Sequence, residues 1–296
     1  MAKLRIAFFG LPLAALLLAR DGHEILFAAV SRKDAIGIRR ARRLFGADRV
    51  WAKRPDIENS PALLKLVKSL KPDLLVSWFW TSLLPMDLMR AARLGGIGVH
   101  PSLLPRHRGP DPTFWAIAAG DTETGVTVHR LAEQYDTGDI LAVEKLAIDP
   151  SWNAWELARA LDRPSLRQLR ATVARFARGE RVAFEPQDPA LATEAPTPND
   201  EMCALRWAWP TEQIIRHVRA LAPAPGAWTE ISGRLVTVLR AAPATAFPAA
   251  LQPGEGAIVA GLPIVRTGDS AVVLVECEID GEPASRADLE ALFHEP

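Results

Sequence analysis

The sequence predicts an α/β fold, in which a mostly parallel sheet covered by helices is followed by a smaller α+β or β-barrel domain. Three observations lead to this prediction. In the first half of the chain, short and continuous apolar runs alternate with segments of helical periodicity, as is typical of strands covered on both faces. A segment rich in Pro, Ala and acidic residues interrupts this pattern at 185–199. Short β-like runs between turn residues then occupy the last third.

The elements of the first half follow one another in strand and helix order. The predicted strands are 4–9, 25–30 and 73–79, and the predicted helices are 13–20 and 60–70. Ser60 and Pro61 are typical of the N-cap and of the first position of a helix. This alternation predicts parallel strands that are joined by right-handed helical crossovers.

The second half contains a long helical segment, the interruption and a small domain. Apolar residues keep helical spacing over 151–180, and an amphipathic helix is predicted at 207–221. β-like runs follow at 235–239, 257–259 and 271–275. We therefore predict a first domain at 1–184, a linker at 185–203 and a second domain at 204–296.

The composition predicts a cytoplasmic protein and leaves its oligomeric state open. Lys and Arg number 35, as do Asp and Glu, so no overall field attracts nucleic acid or an anionic membrane. Two cysteines are too few for a disulfide framework and lack neighbours with metal-ligand spacing. The charged and apolar start has the pattern of a secretory signal, but a first strand and helix explain it better. No run reaches the ~20 apolar residues of a membrane span.

The run 100–141 shows little helical or strand periodicity and is predicted to be a loop-rich functional site. Its His100 follows the short apolar run 97–99, at the carboxyl end of a predicted strand, where open α/β sheets bind their ligands. Asp136 begins the sequence Asp-Thr-Gly-Asp, whose glycine permits a sharp bend. Taken singly, a structural histidine and an ordinary turn explain these two residues; in combination they predict a site.

Three spaced motifs of this run resemble those of the formyltransferases that use 10-formyltetrahydrofolate. The motifs are HPSLLPxxRG at 100–109, WAIxxGDxETGVTxH at 115–129 and DTGDI at 136–140. Three further segments are similar to other parts of that family, namely LRIAFFGLP at 4–12, SWFWTSLLP at 77–85 and LRWAWPTEQIIRHVRALAPAPGAW at 205–228. The resemblance therefore covers nearly the whole chain.

The resemblance implies a Rossmann-like catalytic domain, an OB-like carboxy-terminal domain and 10-formyltetrahydrofolate as formyl donor. It assigns His100 and Asp136 as the catalytic pair. The residues that it places around the pterin ring of the donor are Ser82, Leu83, Leu84, Gln134 and Tyr135. Formyl transfer to an amine needs a neutral nucleophile and a place for negative charge on the carbonyl oxygen. Because an alkyl amine has a pKa of ~10.4, it is mostly protonated at neutral pH and must first lose a proton. A carboxylate beside an imidazolium supplies both without a metal.

Gly98 stands where the resembled family has the asparagine of an Asn-x-His sequence. Loss of one preorganised donor to the formyl oxygen commonly costs ~3 kcal/mol of transition-state stabilisation. Three interpretations follow: an active formyltransferase in which another residue or a water replaces the donor, a folate-binding pseudoenzyme, or a formyltetrahydrofolate hydrolase.

The sequence also bears on the formyl acceptor. The methionyl-tRNA enzymes of the resembled family carry a basic loop with a Lys-Lys and Pro-Ser-Pro signature, which 31–51 lacks. The arginines of this stretch are predicted to form either a solvated helix surface or a basic face for an anionic partner. They are Arg39, Arg40, Arg42 and Arg43. We expect a small-molecule amine or hydroxylamine, free or bound to a carrier, as acceptor; tRNA is less favoured, and no membrane partner is expected.

Overall fold

The computed structural model describes residues 2–52 and 57–293, and the chain divides into two compact units. The first unit comprises Met1–Pro110, Glu123–Ala147 and Ala160–Ala195, and the second comprises Asp111–Thr122, Ile148–Arg159 and Pro196–Pro296. The domain limits that the sequence predicts, 1–184, 185–203 and 204–296, stay a prediction. Their outer ends at residues 1 and 296 lie outside the described residues.

A seven-stranded sheet forms the centre of the first unit, with strand order β3-β2-β1-β4-β5-β6-β7. Its strands are β1 (Arg5–Gly10), β2 (Glu24–Val30), β3 (Val50–Ala52), β4 (Leu74–Trp78), β5 (Gly96–His100), β6 (Glu123–Arg130) and β7 (Ile140–Ala147). β1 to β5 pair in parallel, whereas β6 and β7 are antiparallel to their neighbours. The predicted α/β sheet is confirmed, and the strand pairing changes from parallel to antiparallel between β5 and β6.

The helices of the described residues alternate with strands in the first half of the chain. They are α1 (Pro12–Arg20), α2 (Ile38–Phe45), α3 (Pro61–Leu70), α4 (Met86–Arg90), α5 (Pro112–Ala118), α6 (Ala154–Ala177), α7 (Asp200–Cys203), α8 (Thr211–Leu221) and α9 (Arg286–Ala291). The three predicted strands coincide with β1, β2 and β4 to within one residue at each end. The run that resembles a secretory signal forms β1 and α1. Ser60 is the N-cap of α3, as predicted, although its side chain makes no capping hydrogen bond.

The sheet of the first unit is covered on both faces because side chains of a strand alternate between them. Ile6 and Phe8 of β1 pack into one apolar cluster with residues of α1 and α6. Ala7 and Phe9 pack into a second cluster with residues of α3 and α4. All four side chains are fully buried, which explains why the sequence of β1 is a continuous apolar run.

The run 100–141 is more regular than the sequence predicts, because it contains α5 and β6. Val126 and Val128 of β6 are fully buried on one face. The intervening residues on the other face are Gly125, Thr127 and His129, which break the apolar pattern of a strand. The prediction of a loop-rich segment is wrong for this part, since the small and polar residues on one face hide the strand pattern.

The second unit contains an antiparallel sheet with strand order β10-β11-β12-β9-β8 and a short β13 beside β12. Its strands are β8 (Ala227–Ile231), β9 (Arg234–Pro243), β10 (Gly256–Val259), β11 (Leu262–Arg266), β12 (Ala271–Ile279) and β13 (Glu282–Pro283). The predicted small α+β domain is confirmed. The helix predicted at 207–221 begins only at Thr211, because Pro210 is its N-cap.

Two further sequence expectations concern cysteines and membranes. Cys203 and Cys277 are free and buried, and burial raises the pKa of the Cys277 thiol to about 12. Among the described residues, every helix is too short or too polar to cross a bilayer.

Candidate active site

Two histidines reach the same place from adjacent strands of the first unit. His100 is the last residue of β5, and His129 is the penultimate residue of β6. The antiparallel register pairs Gly98 with His129 and His100 with Thr127. Both rings are almost completely buried, at 5% and 3% exposure. The switch from parallel to antiparallel pairing therefore brings a second imidazole beside the predicted one.

Asp136 lies between the two imidazole rings. Its Oδ2 is 3.4 Å from Nδ1 of His100, and its Oδ1 is 3.6 Å from Nε2 of His129. The backbone N–H of Gly109 donates to Oδ2 at 3.0 Å, which fixes the carboxylate in this orientation. Asp136 itself adopts a left-handed backbone conformation with φ of 54°, so the bend of the turn falls on the aspartate.

The outer nitrogen of each ring is hydrogen-bonded to a backbone carbonyl. Nε2 of His100 lies 2.7 Å from the carbonyl oxygen of His107, and Nδ1 of His129 lies 2.8 Å from that of Arg130. A carbonyl oxygen only accepts, so each outer nitrogen carries the proton and donates. The other nitrogen of each ring, Nδ1 of His100 and Nε2 of His129, faces Asp136.

Burial sets the charge of His129. It lowers the pKa of His129 below the ordinary value for imidazole, and the charges of His100 and Arg108 act in the same direction. The Asp136 carboxylate and the hydrogen bond to the Arg130 carbonyl act against this shift but do not cancel it. Burial therefore favours the uncharged form of this ring more than in a free imidazole.

The space beside Gly98 is occupied by two side chains of the neighbouring strand and loop. A Cβ atom at position 98 would lie 2.9 Å from Cδ2 of Leu131 and 3.2 Å from Nε2 of His129. Glycine at this position thus allows Leu131 and His129 to pack closely against the strand, because a Cβ would be tight against both.

Comparison with known proteins assigns the chain to a family. Residues 13–171 match the formyl transferase family, and residues 199–289 match the formyl transferase C-terminal domain. Over 298 residues, the chain is 34% identical to methionyl-tRNA formyltransferase from Anaeromyxobacter dehalogenans, which covers 96% of this chain and 95% of the relative. This chain belongs to the formyl transferase family. The resemblance inferred from the motifs is confirmed, as is the class of enzyme that transfers one-carbon groups.

Solved structures share the fold of this formyl transferase at lower identity. HypX from Aquifex aeolicus in complex with tetrahydrofolic acid superposes with a TM-score of 0.66 at 22% identity, over 93% of this chain and 44% of that one. An N-formyltransferase from Helicobacter canadensis, in complex with folinic acid and dTDP-3-aminofucose, gives 0.68 at 12% identity, over 94% and 100%. At these identities the likeness concerns the fold.

The two stretches that the sequence assigns to the pterin ring are joined by a hydrogen bond. The backbone N–H of Leu83 donates to the hydroxyl of Tyr135 at 2.8 Å. Tyr135 is 52% exposed and Leu83 is 38% exposed, so both face solvent. Ser82 is half-buried, Gln134 is exposed, and the side chain of Leu84 belongs to the apolar cluster of α3 and α4. Leu84 therefore has only its backbone to offer to a ligand.

Gln187 holds the Asp136 turn and was missed by sequence reasoning. Its Nε2 donates to the backbone oxygens of Asp136 and Gly138, both at 2.7 Å. Its Oε1 accepts two hydrogen bonds from the Arg108 guanidinium. Gln187 lies in the segment predicted as a linker from its Pro-rich composition, so no local signal marked it.

The glycines and the threonine of the family motifs keep backbones close around the site. A Cβ at Gly138 would lie 1.9 Å from the carbonyl oxygen of Arg130, and one at Gly125 would lie 2.2 Å from that of Glu144. Thr127 is fully buried, and its hydroxyl donates to the carbonyl of Ser102 at 2.7 Å. These contacts fix the loop that follows His100.

His129 lies beside Asp136 as well, although it was not among the predicted site residues. It closes the motif WAIxxGDxETGVTxH, so the sequence contained it, but nothing local distinguished it from a core histidine. The signal was its spacing: Thr127 and His129 alternate with Val126 and Val128, which places the two polar side chains on one face of a strand.

Proposed function

We propose that this chain transfers the formyl group of 10-formyltetrahydrofolate to an amine at the site around Asp136. The observation that supports this most strongly is that two buried imidazoles each direct one ring nitrogen to the same carboxylate. Such a cluster holds and moves protons in a place from which bulk water is largely excluded. Membership of the formyl transferase family supports the same chemistry. We further propose the cytoplasm as its location.

Asp136 and His100 divide the work of the transfer in this proposal. Asp136 accepts a proton from the amine, directly or through a water, because an ammonium has no lone pair for attack on the formyl carbon. His100, when charged, stabilises the negative charge that grows on the carbonyl oxygen. The hydrogen bond from Gly109 keeps the carboxylate in place during these steps.

The formyl donor is proposed to bind beside the loops that carry Leu83 and Tyr135. Their mutual hydrogen bond brings the two predicted stretches together, and their exposure leaves them accessible to a planar ring. The backbones of Ser82 and Leu84 and the exposed Gln134 complete this predicted pterin site. We propose the domain limits 1–184 and 204–296 for the catalytic and carboxy-terminal domains of this enzyme.

A small amine or hydroxylamine, free or carrier-bound, is our preferred acceptor. The stretch 31–51 lacks the basic signature of the tRNA-specific enzymes, and the charge of the whole chain is balanced. At neutral pH a hydroxylamine is a better nucleophile than an alkyl amine, because the alkyl amine is mostly protonated. A better nucleophile suits a site that lacks the family asparagine as a donor to the formyl oxygen.

Methionyl-tRNA is the second candidate acceptor, because curated relatives with 33% to 35% identity are methionyl-tRNA formyltransferases. The arginines of α2 offer a surface for an anion, since all of them are exposed on one short helix. Replacement of Arg39, Arg40, Arg42 and Arg43 by glutamate tests this surface. Turnover of methionyl-tRNA falls if it binds there, whereas turnover of a small amine stays the same.

Release of tetrahydrofolate from 10-formyltetrahydrofolate tests the proposed function. The panel of acceptors contains amino sugars, amino and hydroxylamino acids and methionyl-tRNA. We expect release that depends on an added small acceptor and that is lost in Asp136→Asn. Donor binding without turnover of any acceptor would identify a pseudoenzyme, and formate release without an acceptor would identify a hydrolase. Efficient turnover of methionyl-tRNA alone would reverse our preference for a small acceptor.

A further inference from the structure

The second unit contains a cavity of about 500 Å³ that shares no residue with the site around Asp136. It lies between α5, the loop that follows β7, and α8, and all of its lining residues belong to the second unit. Its volume falls within the ~300–1,000 Å³ of small-molecule sites. Ile117, Ile148 and Ile215 contribute aliphatic surface to it. The size and the apolar surface suit a small organic molecule.

Two arginines of α8 line this cavity together. Arg216 and Arg219 are three residues apart, so they lie on the same side of the helix. Burial lowers the pKa of the Arg219 guanidinium, and the charge of Arg216 lowers it further, although Asp149 and Glu156 act against this shift. An anion beside both guanidinium groups would offset their mutual repulsion.

The hydrogen bonds of the Arg216 guanidinium are incomplete. Its Nη1 donates to Oε1 of Glu212 at 2.7 Å, but its buried Nε has no hydrogen-bond partner among the described residues. The group is held against Gly120, where a Cβ would lie 3.3 Å from Cζ of the arginine. Because a buried donor without an acceptor is unfavourable, an acceptor that a ligand brings would stabilise this side chain.

The Arg219 guanidinium is fixed at one end and open at the other. Its Nε donates to the carbonyl of Trp152 at 2.8 Å, which orients the group. Within the part of the chain that the structure describes, its two terminal nitrogens donate to no acceptor. A guanidinium presents parallel N–H groups whose spacing matches the two oxygens of a carboxylate. The pair of arginines is therefore suited to a carboxylate ligand.

Three carboxylates also line the cavity and limit the charge that it accepts. Glu212 pairs with Arg216, and Asp269 accepts hydrogen bonds from the backbone N–H and the hydroxyl of Thr211 at the start of α8. Together with Asp121, these carboxylates outnumber the two arginines. A doubly charged phosphate meets more repulsion in such a cavity than a singly charged carboxylate. The charges therefore favour a monoanion.

We propose that the second unit binds a small aliphatic carboxylate in this cavity, with the carboxylate group beside Arg216 and Arg219 and the hydrocarbon body against the isoleucines. This binding site is additional to the formyl-transfer site, because it uses none of the residues around Asp136. It does not rest on the proposed function, so either assignment stands or falls without the other.

Binding of 4-methylpentanoate to the full chain tests the site, with saturation-transfer NMR and calorimetric titration as the measurements. We expect a Kd of ~1 mM or lower. The neutral amide of the same shape, 4-methylpentanamide, should bind at least ~10-fold more weakly, because it offers no charge to the arginines. Inorganic phosphate should also bind at least ~10-fold more weakly, because of the three carboxylates.

Conservative variants test where the carboxylate lies. Arg216→Lys and Arg219→Lys keep the positive charge and remove the planar group, so each should weaken binding at least ~10-fold. Arg234→Lys is the matched control: Nε and Nη2 of Arg234 donate to Asp280, and this arginine does not line the cavity. Its Kd should stay within ~2-fold of wild type. Urea unfolding shows that each variant is folded.

A filling variant tests the cavity without a change of charge. Ile215→Phe enlarges a side chain of the lining and leaves both arginines in place, so binding should again weaken at least ~10-fold. Asp136→Asn should bind 4-methylpentanoate as wild type does, whatever its effect on formyl transfer. A weakened Kd in Asp136→Asn would place the probe at the formyl-transfer site and would overturn the inference.

The remaining outcomes decide the assignment as follows. A carboxylate that binds no better than its amide overturns it, because charge is then not recognised. Unchanged binding in both lysine variants overturns it as well, since the carboxylate then lies elsewhere on the chain. Phosphate that binds as tightly as 4-methylpentanoate overturns the preference for a monoanion. No binding of 4-methylpentanoate at ~10 mM overturns the site itself.

Discussion

Buried histidines in the two units have the same degree of burial and different surroundings. In the first unit, His100 and His129 flank Asp136. In the second unit, His217 is 8% exposed and lies edge-on to aromatic rings, 5.2 Å from Trp209 and 6.3 Å from Phe114. Burial lowers the pKa of His129 and of His217 alike.

The difference lies in what the second nitrogen meets. Nε2 of His129 faces a carboxylate that a backbone N–H holds in place. Nε2 of His217 has no hydrogen-bond partner among the residues that the structure describes. A lowered pKa is therefore common to both histidines, and what sets His129 of the proposed site apart is the carboxylate beside it and the turn that carries this carboxylate. Substitutions at Asp136 and at His217 test this distinction.

Asp136→Asn should have the largest effect, because it removes the group that distinguishes the two environments. The side-chain amide still accepts the hydrogen bond from Gly109, so the turn keeps its shape. Unlike the carboxylate, however, the amide does not accept a proton from the acceptor. We expect kcat/KM to fall ~10³-fold with the stability unchanged to within ~1 kcal/mol. Steady-state kinetics and urea unfolding measure the two quantities. Asp139→Asn in the same turn is the control, and equal losses in both variants would contradict a special role for Asp136.

Gly138→Ala should disturb the same carboxylate through the backbone. The added Cβ would lie 1.9 Å from the Arg130 carbonyl oxygen, so the turn must move away from β6. We expect a loss of ~2 kcal/mol or more in the free energy of unfolding and a ~10²-fold lower kcat. The control is Gly179→Ala, because a Cβ there meets no atom of the described residues within 4 Å. It costs ~1 kcal/mol through its left-handed backbone alone. Similar kcat values for both variants would show that the turn tolerates displacement.

Gln187→Ala should act more weakly, because it removes a support of the turn and leaves every reacting group present. Two hydrogen bonds to the backbone of the Asp136 turn and the contact with Arg108 are lost. We expect kcat to fall ~10-fold at nearly constant KM, since a small displacement of a catalytic group is costly. Stopped-flow or steady-state assays resolve this change. Gln252→Ala on the exposed surface of the second unit should match wild type.

Substitution of His217, which packs against aromatic rings in the second unit, should give the smallest change in activity. His217→Gln is expected to leave kcat within ~3-fold of wild type. Its effect concerns stability: because burial lowers the pKa of His217, the unfolded chain binds protons more readily than the folded chain below pH ~6.5. Stability due to the uncharged ring is therefore complete above that pH and is lost as the pH falls toward the lowered value.

The measurement for this last prediction is urea unfolding across the acid range. His217→Gln removes one titrating ring. As the pH is lowered, the free energy of unfolding of this variant should therefore decrease less steeply than that of wild type. A tenfold loss of kcat in this variant would break the comparison, because the second unit would then share in the chemistry.

The sequence predicted the parallel part of the fold well for a physical reason. β1, β2 and β4 are buried on both faces, so they appear as continuous apolar runs bounded by turns and helices. β6 and β7 were not recognised, because β7 is half-exposed and β6 carries Gly125, Thr127 and His129 on one face. The strands that build the site are thus the ones with the weakest strand signal.

The site was predicted in part for a similar reason. Motif spacing identified His100 and Asp136, and the resemblance placed Leu83 and Tyr135 together, which their hydrogen bond supports. Gln187 was out of reach, since its contact spans 51 residues and its local composition is that of a linker. The proximity of Gly98 and His129 could not be predicted, because it depends on the register of two antiparallel strands, and a single sequence does not specify that register.

Transfer of a labelled formyl group tests the central claim most directly. The chain is incubated with 10-formyltetrahydrofolate labelled with ¹³C at the formyl carbon and with the acceptor panel, and the products are followed by NMR. We predict that wild type places the label in an N-formyl product, and that Asp136→Asn does so ~10³-fold more slowly. Label recovered only as formate, or left entirely in the bound donor, would contradict the account.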